Sequence, residues 1–127
     1  MSGVYFACVT IDSSDFRALA DFYVKLLGGK IVREFGGHGV AVGVPGTDIN
    51  LNFQNADGYS PPIWPEEPGK QQQMAHLDFF VDDLDDAVKR AAELGATKAG
   101  QQFIPEIVVM LDPAGHPFCL IPKENAD

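Results

Sequence analysis

The sequence predicts an α+β protein in which one β-α-β-β-β unit occurs twice in tandem. Residues 76–81 combine β-formers and aromatic residues without a breaker and run into an acidic helix start, which is typical of a buried strand followed by a helix. The same pattern occurs earlier, because Cys8 precedes Asp15 by seven positions, as His76 precedes Asp83. Both helical segments are amphipathic and end at a Leu-Gly pair, where glycine can adopt the left-handed conformation that ends a helix.

Hydrophobic periodicity and the turns rich in glycine or proline predict five elements in each module. The first module, residues 4–54, is expected to contain a strand over 4–11, a helix over 15–27 and strands over 30–35, 40–44 and 48–54. The second module, residues 75–121, repeats this order with a strand over 75–81, a helix over 83–94 and strands over 97–102, 106–111 and 116–121. We therefore expect a single domain over residues 1–127, built from two similar modules.

Length and composition are typical of a globular protein, since 127 residues with 46% hydrophobic side chains can form a core. The net charge is −9, from 18 acidic and 9 basic residues, which argues against nucleic acid or an anionic membrane surface as a partner. No apolar run approaches the roughly 20 residues that cross a bilayer, and the N-terminus lacks the basic start of a secretory signal. With only two cysteines, the sequence indicates a cytoplasmic protein in a reducing compartment.

The segment 55–74 between the modules contains four of the nine prolines and the only tryptophan, Trp64. Proline excludes it from a central strand, so it is interpreted first as a linker. A second interpretation is a lid, because Tyr59 and Trp64 would be costly to leave exposed on a tether. The two interpretations are compatible, and we expect Trp64 to lie over a binding cup or against a partner subunit.

Several stretches together resemble the vicinal oxygen chelate superfamily, which includes glyoxalases, bleomycin-resistance proteins and extradiol dioxygenases. The resemblance extends over nearly the whole chain and is closest to a glyoxalase-like subgroup. It rests on Asp15, Phe22-Tyr23, Leu27-Gly28, Leu51-Asn52-Phe53-Gln54, Tyr59, Pro61-Pro62, Trp64-Pro65, residues 76–84, Leu94-Gly95-Ala96 and residues 111–120. The resemblance implies two curled sheets that form a cup, with the helices outside, and often a homodimer.

Metal-using members of this superfamily place four ligands in the cup, on the first and last strands of each half. The resemblance places Cys8, Asn50, His76 and Cys119 at these positions, with Asn52 in place of Asn50 if the strand shifts by one pleat. The glutamates expected at positions 50 and 119 are absent, and hard divalent ions prefer carboxylates and imidazoles. We therefore predict that the usual metal site is missing.

Two alternative interpretations give these residues a role in metal binding or in catalysis. Cys8, His76 and Cys119 could hold zinc, with a water molecule as the fourth ligand, because thiolates and imidazole are typical zinc ligands. A cysteine thiolate activated by His76 could instead act as a nucleophile. Against both stands the common role of free cysteine as a small buried hydrophobe and of histidine as a hydrogen-bonded polar group. Asp78 shares a face with His76 and could orient it or bind a polar group of a ligand.

Asn50, Asn52 and Gln54 share one face of a predicted strand, where three amides could read a polar ligand or could face solvent. Aromatic side chains would supply the apolar part of such a pocket. The candidate ligand-binding residues are Phe6, Cys8, Thr10, Asn50, Asn52, Gln54, Tyr59, Trp64, His76, Asp78, Phe80 and Cys119.

The predicted function is binding of a small, partly apolar molecule in the cup, without a cofactor. The alternative is a metal-dependent lyase, isomerase or dioxygenase-type enzyme that uses His76, with zinc or another divalent metal.

Overall fold

The computed structural model describes residues 3–123 and confirms two tandem β-α-β-β-β modules. The chain divides between Tyr59 and Ser60 into two compact units. The first unit contains β1 (Cys8–Ser13), α1 (Phe16–Leu27), β2 (Lys30–Glu34), β3 (Gly39–Gly43) and β4 (Asn50–Asn55). The second unit contains β5 (Leu77–Val81), α2 (Leu84–Leu94), β6 (Thr97–Lys98), β7 (Val108–Leu111) and β8 (Pro117–Pro122).

Each unit has one open four-stranded sheet, and the two sheets have the same topology. The strand orders are β1-β4-β3-β2 and β5-β8-β7-β6. In each sheet the first strand is parallel to the last, and the other pairs are antiparallel. Within residues 3–123, neither helix combines the length and the apolar composition that crossing a membrane requires.

The two helices end where the sequence predicts and begin one residue later than predicted, because the first residue of each predicted helix is its cap. Asp15 caps α1 by accepting a hydrogen bond from the Ala18 amide at 3.1 Å. Asp83 caps α2 by accepting one from the Asp86 amide at 3.0 Å. The helices end at glycines with positive φ, Gly28 and Gly95, which satisfy the last carbonyls with their own amides. The spacing between these caps and the preceding strands is the basis of the internal repeat.

The core of the first unit lies between α1 and one face of the sheet. Phe53 is fully buried and stacks on Tyr23 of α1, with the ring centroids 5.3 Å apart. On the same face, Glu34 forms an ion pair with Arg17 of α1 at 3.2 Å. We call the opposite face, which points away from α1, the open face of the first sheet.

The second unit is built in the same way, with α2 against one face of its sheet. Phe118 and Leu120 of β8 are buried on this face together with Ala91 of α2, and Phe79 meets Phe118 at a centroid distance of 6.0 Å. Because side chains alternate along a strand, Asp78 and Cys119 belong to the other face, which we call the open face of the second sheet.

Several strand boundaries differ from the prediction. The strand predicted over 4–11 begins only at Cys8, because its partner β4 begins opposite Cys8. Just before it, the Ala7 carbonyl accepts a hydrogen bond from the Asn50 amide of β4 at 3.2 Å. Phe6 therefore precedes the strand, and its side chain is 67% exposed. The strand predicted over 75–81 begins at Leu77, which leaves His76 just before it. The strand predicted over 97–102 is reduced to Thr97–Lys98, because the Gln102 side chain bonds to the backbone of the neighbouring strand β7.

Candidate functional site

The open face of the first sheet brings five sequence-predicted candidates together. In the register of β1 and β4, Cys8 lies opposite Asn50, Thr10 opposite Asn52, and Asp12 opposite Gln54. The side chains share one face: the Cys8 Sγ lies 3.8 Å from the Thr10 Oγ1, and the Gln54 Nε2 donates a hydrogen bond to the Asp12 Oδ1 at 2.8 Å. This face is therefore a row of mostly neutral polar groups.

Asn52 differs from the other amides in this row because its side-chain oxygen is buried and has no hydrogen-bond partner. Its neighbours across the sheet are Thr10 on β1 and Ala41 on β3. A buried acceptor without a donor is rare, and such a group costs about 1–3 kcal/mol. The Asn52 Oδ1 is thus a place where a donor from outside the protein would form a bond that the protein itself does not supply.

The strand registers show which asparagine corresponds to Cys119. In the second sheet, Asp78 comes two residues after His76 and lies opposite Cys119. In the first sheet, Thr10 comes two residues after Cys8 and lies opposite Asn52. If Cys8 corresponds to His76, as their equal distances from the helix caps indicate, then Asn52 corresponds to Cys119. The position shifted by one pleat, Asn52 in place of Asn50, is the one that the registers support.

Three candidates meet on the open face of the second sheet. The His76 Nε2 lies 3.1 Å from the Asp78 Oδ1, and one ligand atom from each of His76, Asp78 and Cys119 lies within 4.8 Å of the others. Burial, and then the charge and hydrogen bond of Asp78, raise the pKa of Cys119 to about 11. Cys119 is therefore a thiol at neutral pH, which disfavours Cys119 as a thiolate nucleophile.

The donor set of this cluster fits zinc. Imidazole, thiolate and carboxylate are the usual zinc ligands, whereas magnesium prefers an all-oxygen set. His76, Asp78 and Cys119 all belong to the second unit, so this unit supplies three donors by itself. Cys8 belongs to the first unit, and its participation in a zinc site stays a prediction.

The segment 60–74 is folded onto the second unit. Trp64 is partly buried and meets Phe103 edge-on at a centroid distance of 5.7 Å. The Ile63 amide donates to the Gln71 carbonyl at 2.8 Å, and Pro61 lies so close to Gly115 that a Cβ there would approach the Pro61 Cβ to 2.9 Å. The segment is therefore more than a tether, while its role as a lid stays a prediction.

The docking of Trp64 can be followed directly, since it is the only tryptophan. We expect the wild-type protein to show blue-shifted tryptophan emission, and Phe103→Ala to shift it to the red and increase iodide quenching. The reason is that the Phe103 ring packs at right angles to the indole, a contact worth about 0.5–1.5 kcal/mol. Phe35→Ala, in the other unit, is the control. Water-like emission of the wild-type protein would contradict the docked position.

Two further predicted ligand-binding residues, Phe80 and Tyr59, belong neither to the polar row of the first sheet nor to the cluster of His76, Asp78 and Cys119. Phe80 continues the open face of the second sheet beyond Asp78 and is 59% exposed. Tyr59 is the last residue of the first unit and is partly buried. Asp12 was not among the predicted residues, although it continues the alternation of Cys8 and Thr10 and could have been found from it. Phe103 was not predicted either, and the sequence carries no comparable signal for it.

Comparison with solved structures finds the same fold in proteins of the glyoxalase, bleomycin-resistance and dioxygenase family. The model of the glyoxalase-like domain matches residues 8–121. The chain belongs to this glyoxalase-like family. A comparison with curated proteins finds no match.

Three solved structures illustrate the range of similar folds. TnmS3, an antibiotic-binding protein from Streptomyces sp. CB03234, is 23% identical, with 96% of this chain and 98% of that chain covered and a TM-score of 0.64. A lactoylglutathione lyase from Agrobacterium tumefaciens is 17% identical, with 98% and 97% covered and a TM-score of 0.63. The fosfomycin resistance protein FosX from Listeria monocytogenes, complexed with Mn(II), is 11% identical, with 95% and 90% covered and a TM-score of 0.67. At these identities the similarity establishes the fold, which hosts both binding proteins and enzymes.

Proposed function

We propose that this glyoxalase-like protein binds a small, partly apolar organic molecule through the open face of its first sheet, without the carboxylate metal set of metal-using relatives. The observation that carries the proposal is the buried Asn52 Oδ1 without a partner. A ligand with an O–H or N–H group would supply the missing donor. Thr10, Asn50 and Gln54 lie in the same row and offer further polar contacts.

The likeness to an antibiotic-binding protein favours the same class of ligand. TnmS3, an antibiotic-binding protein, has the same fold over nearly the whole chain. Ligand pockets are mostly apolar, with a small number of polar groups that fix orientation. We therefore infer an antibiotic-like molecule that combines an apolar or aromatic body with a hydrogen-bond donor.

The proposal predicts opposite effects of Asn52→Leu on stability and on binding. The substitution removes an unsatisfied buried acceptor and keeps the branched shape of the side chain, so we expect the ligand-free protein to become more stable by about 1–3 kcal/mol. Because the donor of the ligand then loses its acceptor, we expect the Kd to rise about tenfold or more.

The test begins with a thermal-shift screen of a panel of antibiotics of different sizes that includes bleomycin and fosfomycin. Calorimetric titration of the most stabilising compound then gives the Kd for the wild-type protein and for Asn52→Leu. The matched control for stability is Gln54→Leu on the same strand, which removes the hydrogen bond to Asp12 and should not stabilise. If Asn52→Leu leaves the Kd unchanged, Asn52 does not contact the ligand and the proposal fails.

The second candidate is an enzyme that uses His76 as an acid–base group, in a metal-dependent lyase, isomerase or dioxygenase-type reaction. The specific observation in its favour is the 3.1 Å pairing of His76 with Asp78, since a carboxylate that holds one ring nitrogen orients the other for proton transfer. Mass spectrometry of the bound compound after incubation distinguishes the two candidates. A binding protein returns the compound unchanged.

We also propose that the protein acts in the cytoplasm as a homodimer. Tyr5 and Phe6 are 77% and 67% exposed, and adjacent exposed aromatic residues are typical of an interaction surface. The free cysteines Cys8 and Cys119 favour a reducing compartment. Sedimentation velocity of the wild-type protein over a range of concentrations tests the dimer.

A further inference from the structure

We propose a zinc site that lies wholly within the second unit and has His76, Asp78 and Cys119 as its protein ligands. It goes beyond the proposed binding function and does not rest on it. Metal-using members of the superfamily draw their ligands from the first and last strands of both halves. The site proposed here takes no ligand from the first half and uses Asp78, which does not stand at one of those positions.

The backbone already places the three donors on one face. Asp78 of β5 and Cys119 of β8 are direct partners on parallel strands, so their side chains leave the sheet on the same side. His76 stands two residues before Asp78, and its Nε2 reaches the Asp78 Oδ1 at 3.1 Å. Strand pairing therefore fixes Asp78 beside Cys119, and His76, just before the strand, joins them through its contact with Asp78.

The separations between donor atoms are close to those of a zinc site. Zinc–ligand bonds of about 2.0–2.3 Å in a tetrahedral arrangement place neighbouring ligand atoms roughly 3.3–3.8 Å apart. The ligand atoms of His76, Asp78 and Cys119 all lie within 4.8 Å of one another. Small side-chain rotations are enough to close this difference.

Exposure and charge also suit a bound cation. The side chains of His76 and Asp78 are 36% and 52% exposed, so zinc can reach them from solvent and keep a water molecule as its fourth ligand. On binding, the Sγ–H bond of Cys119 breaks, the proton passes to water and the Sγ–zinc bond forms. The proton on the His76 Nε2 moves to Nδ1, so that Nε2 can ligate. The thiolate and the Asp78 carboxylate together balance the two positive charges of the ion.

The test uses the untagged full chain, first stripped with a chelator and then titrated with cobalt(II) as a spectroscopic substitute for zinc. We expect a sulfur-to-cobalt charge-transfer band together with the intense visible absorption of tetrahedral cobalt, both lost on addition of one equivalent of zinc. Elemental analysis after zinc loading and dialysis should give one zinc per chain. Absence of the band or of stoichiometric zinc would overturn the proposal.

Variants decide which residues hold the ion. We expect Cys119→Ser to abolish the charge-transfer band, and Asp78→Asn to weaken zinc binding by at least about tenfold. Cys8→Ser is the matched control and should leave the spectrum and the affinity unchanged. Loss of the band in Cys8→Ser would place the site across both modules and contradict a site within the second unit. Circular dichroism of each variant verifies that the fold is retained.

Discussion

Phe53→Ala is expected to destabilise the protein by about 3–5 kcal/mol, the usual cost of removing a buried aromatic ring. Phe53 is fully buried on β4 and stacks on Tyr23 of α1, with the rings within 10° of parallel. Its neighbours are helix and strand side chains that cannot move far, so a cavity would remain. A loss of this size is a large part of the 5–15 kcal/mol that typically stabilises a domain.

Urea denaturation followed by far-ultraviolet circular dichroism measures this effect. The matched control is Phe80→Ala, since Phe80 also lies on a strand but is 59% exposed and on an open face. We expect the control to change the free energy of unfolding by less than about 1 kcal/mol. Comparable losses in the two variants would show that Phe53 does not occupy the core position described here. Phe80 is also a predicted ligand-binding residue, so any effect of Phe80→Ala on ligand binding would not be due to a large loss of stability.

The duplicated architecture could be predicted because it depends on local signals. Asp15 and Asp83 are good caps, and Gly28 and Gly95 are good helix ends, whatever the rest of the chain does. Strand ends depend instead on partners distant in sequence. Residues 4–7 have the composition of a strand, yet β1 begins at Cys8 because that is where β4 can bond it.

The sequence predicted which side chains of the candidate site share a face of a strand, but not which of them contact one another. Period-2 alternation placed Asn50, Asn52 and Gln54 on one side, which the strand register supports. The pairing of Asp78 with Cys119 arises between strands about forty residues apart, and no local pattern encodes it. The same holds for the buried and unsatisfied oxygen of Asn52, since no local sequence pattern distinguishes it from the neighbouring amides.

Gln102 shows how one side chain can end a strand. Its Nε2 donates to the carbonyls of Ala99 at 2.9 Å and Val109 at 3.0 Å, and its Oε1 accepts from the Val109 amide at 2.8 Å. The Ala99 amide still donates to the Val109 carbonyl at 3.0 Å, but the Gln102 side chain takes the place of a neighbouring strand at the Val109 amide and at the Ala99 carbonyl. This explains why β6 stops at Lys98, although the composition of residues 97–102 predicts a longer strand.

Gln102→Ala is therefore expected to destabilise the protein by about 2–5 kcal/mol. Val109 is only 7% exposed, so water does not readily replace the lost partner of its amide, and each unsatisfied buried group costs about 1–3 kcal/mol. Gln101→Ala, at the exposed neighbouring position, should change stability by no more than about 0.5 kcal/mol. Hydrogen exchange gives the local readout: the Val109 amide should be protected in the wild-type protein and in Gln101→Ala, and should exchange faster in Gln102→Ala. Unchanged protection of Val109 would mean that the Gln102 side chain does not replace a strand.

Phe103 follows Gln102 directly and contacts Trp64, so the same variant should also loosen the tryptophan and shift its emission to the red.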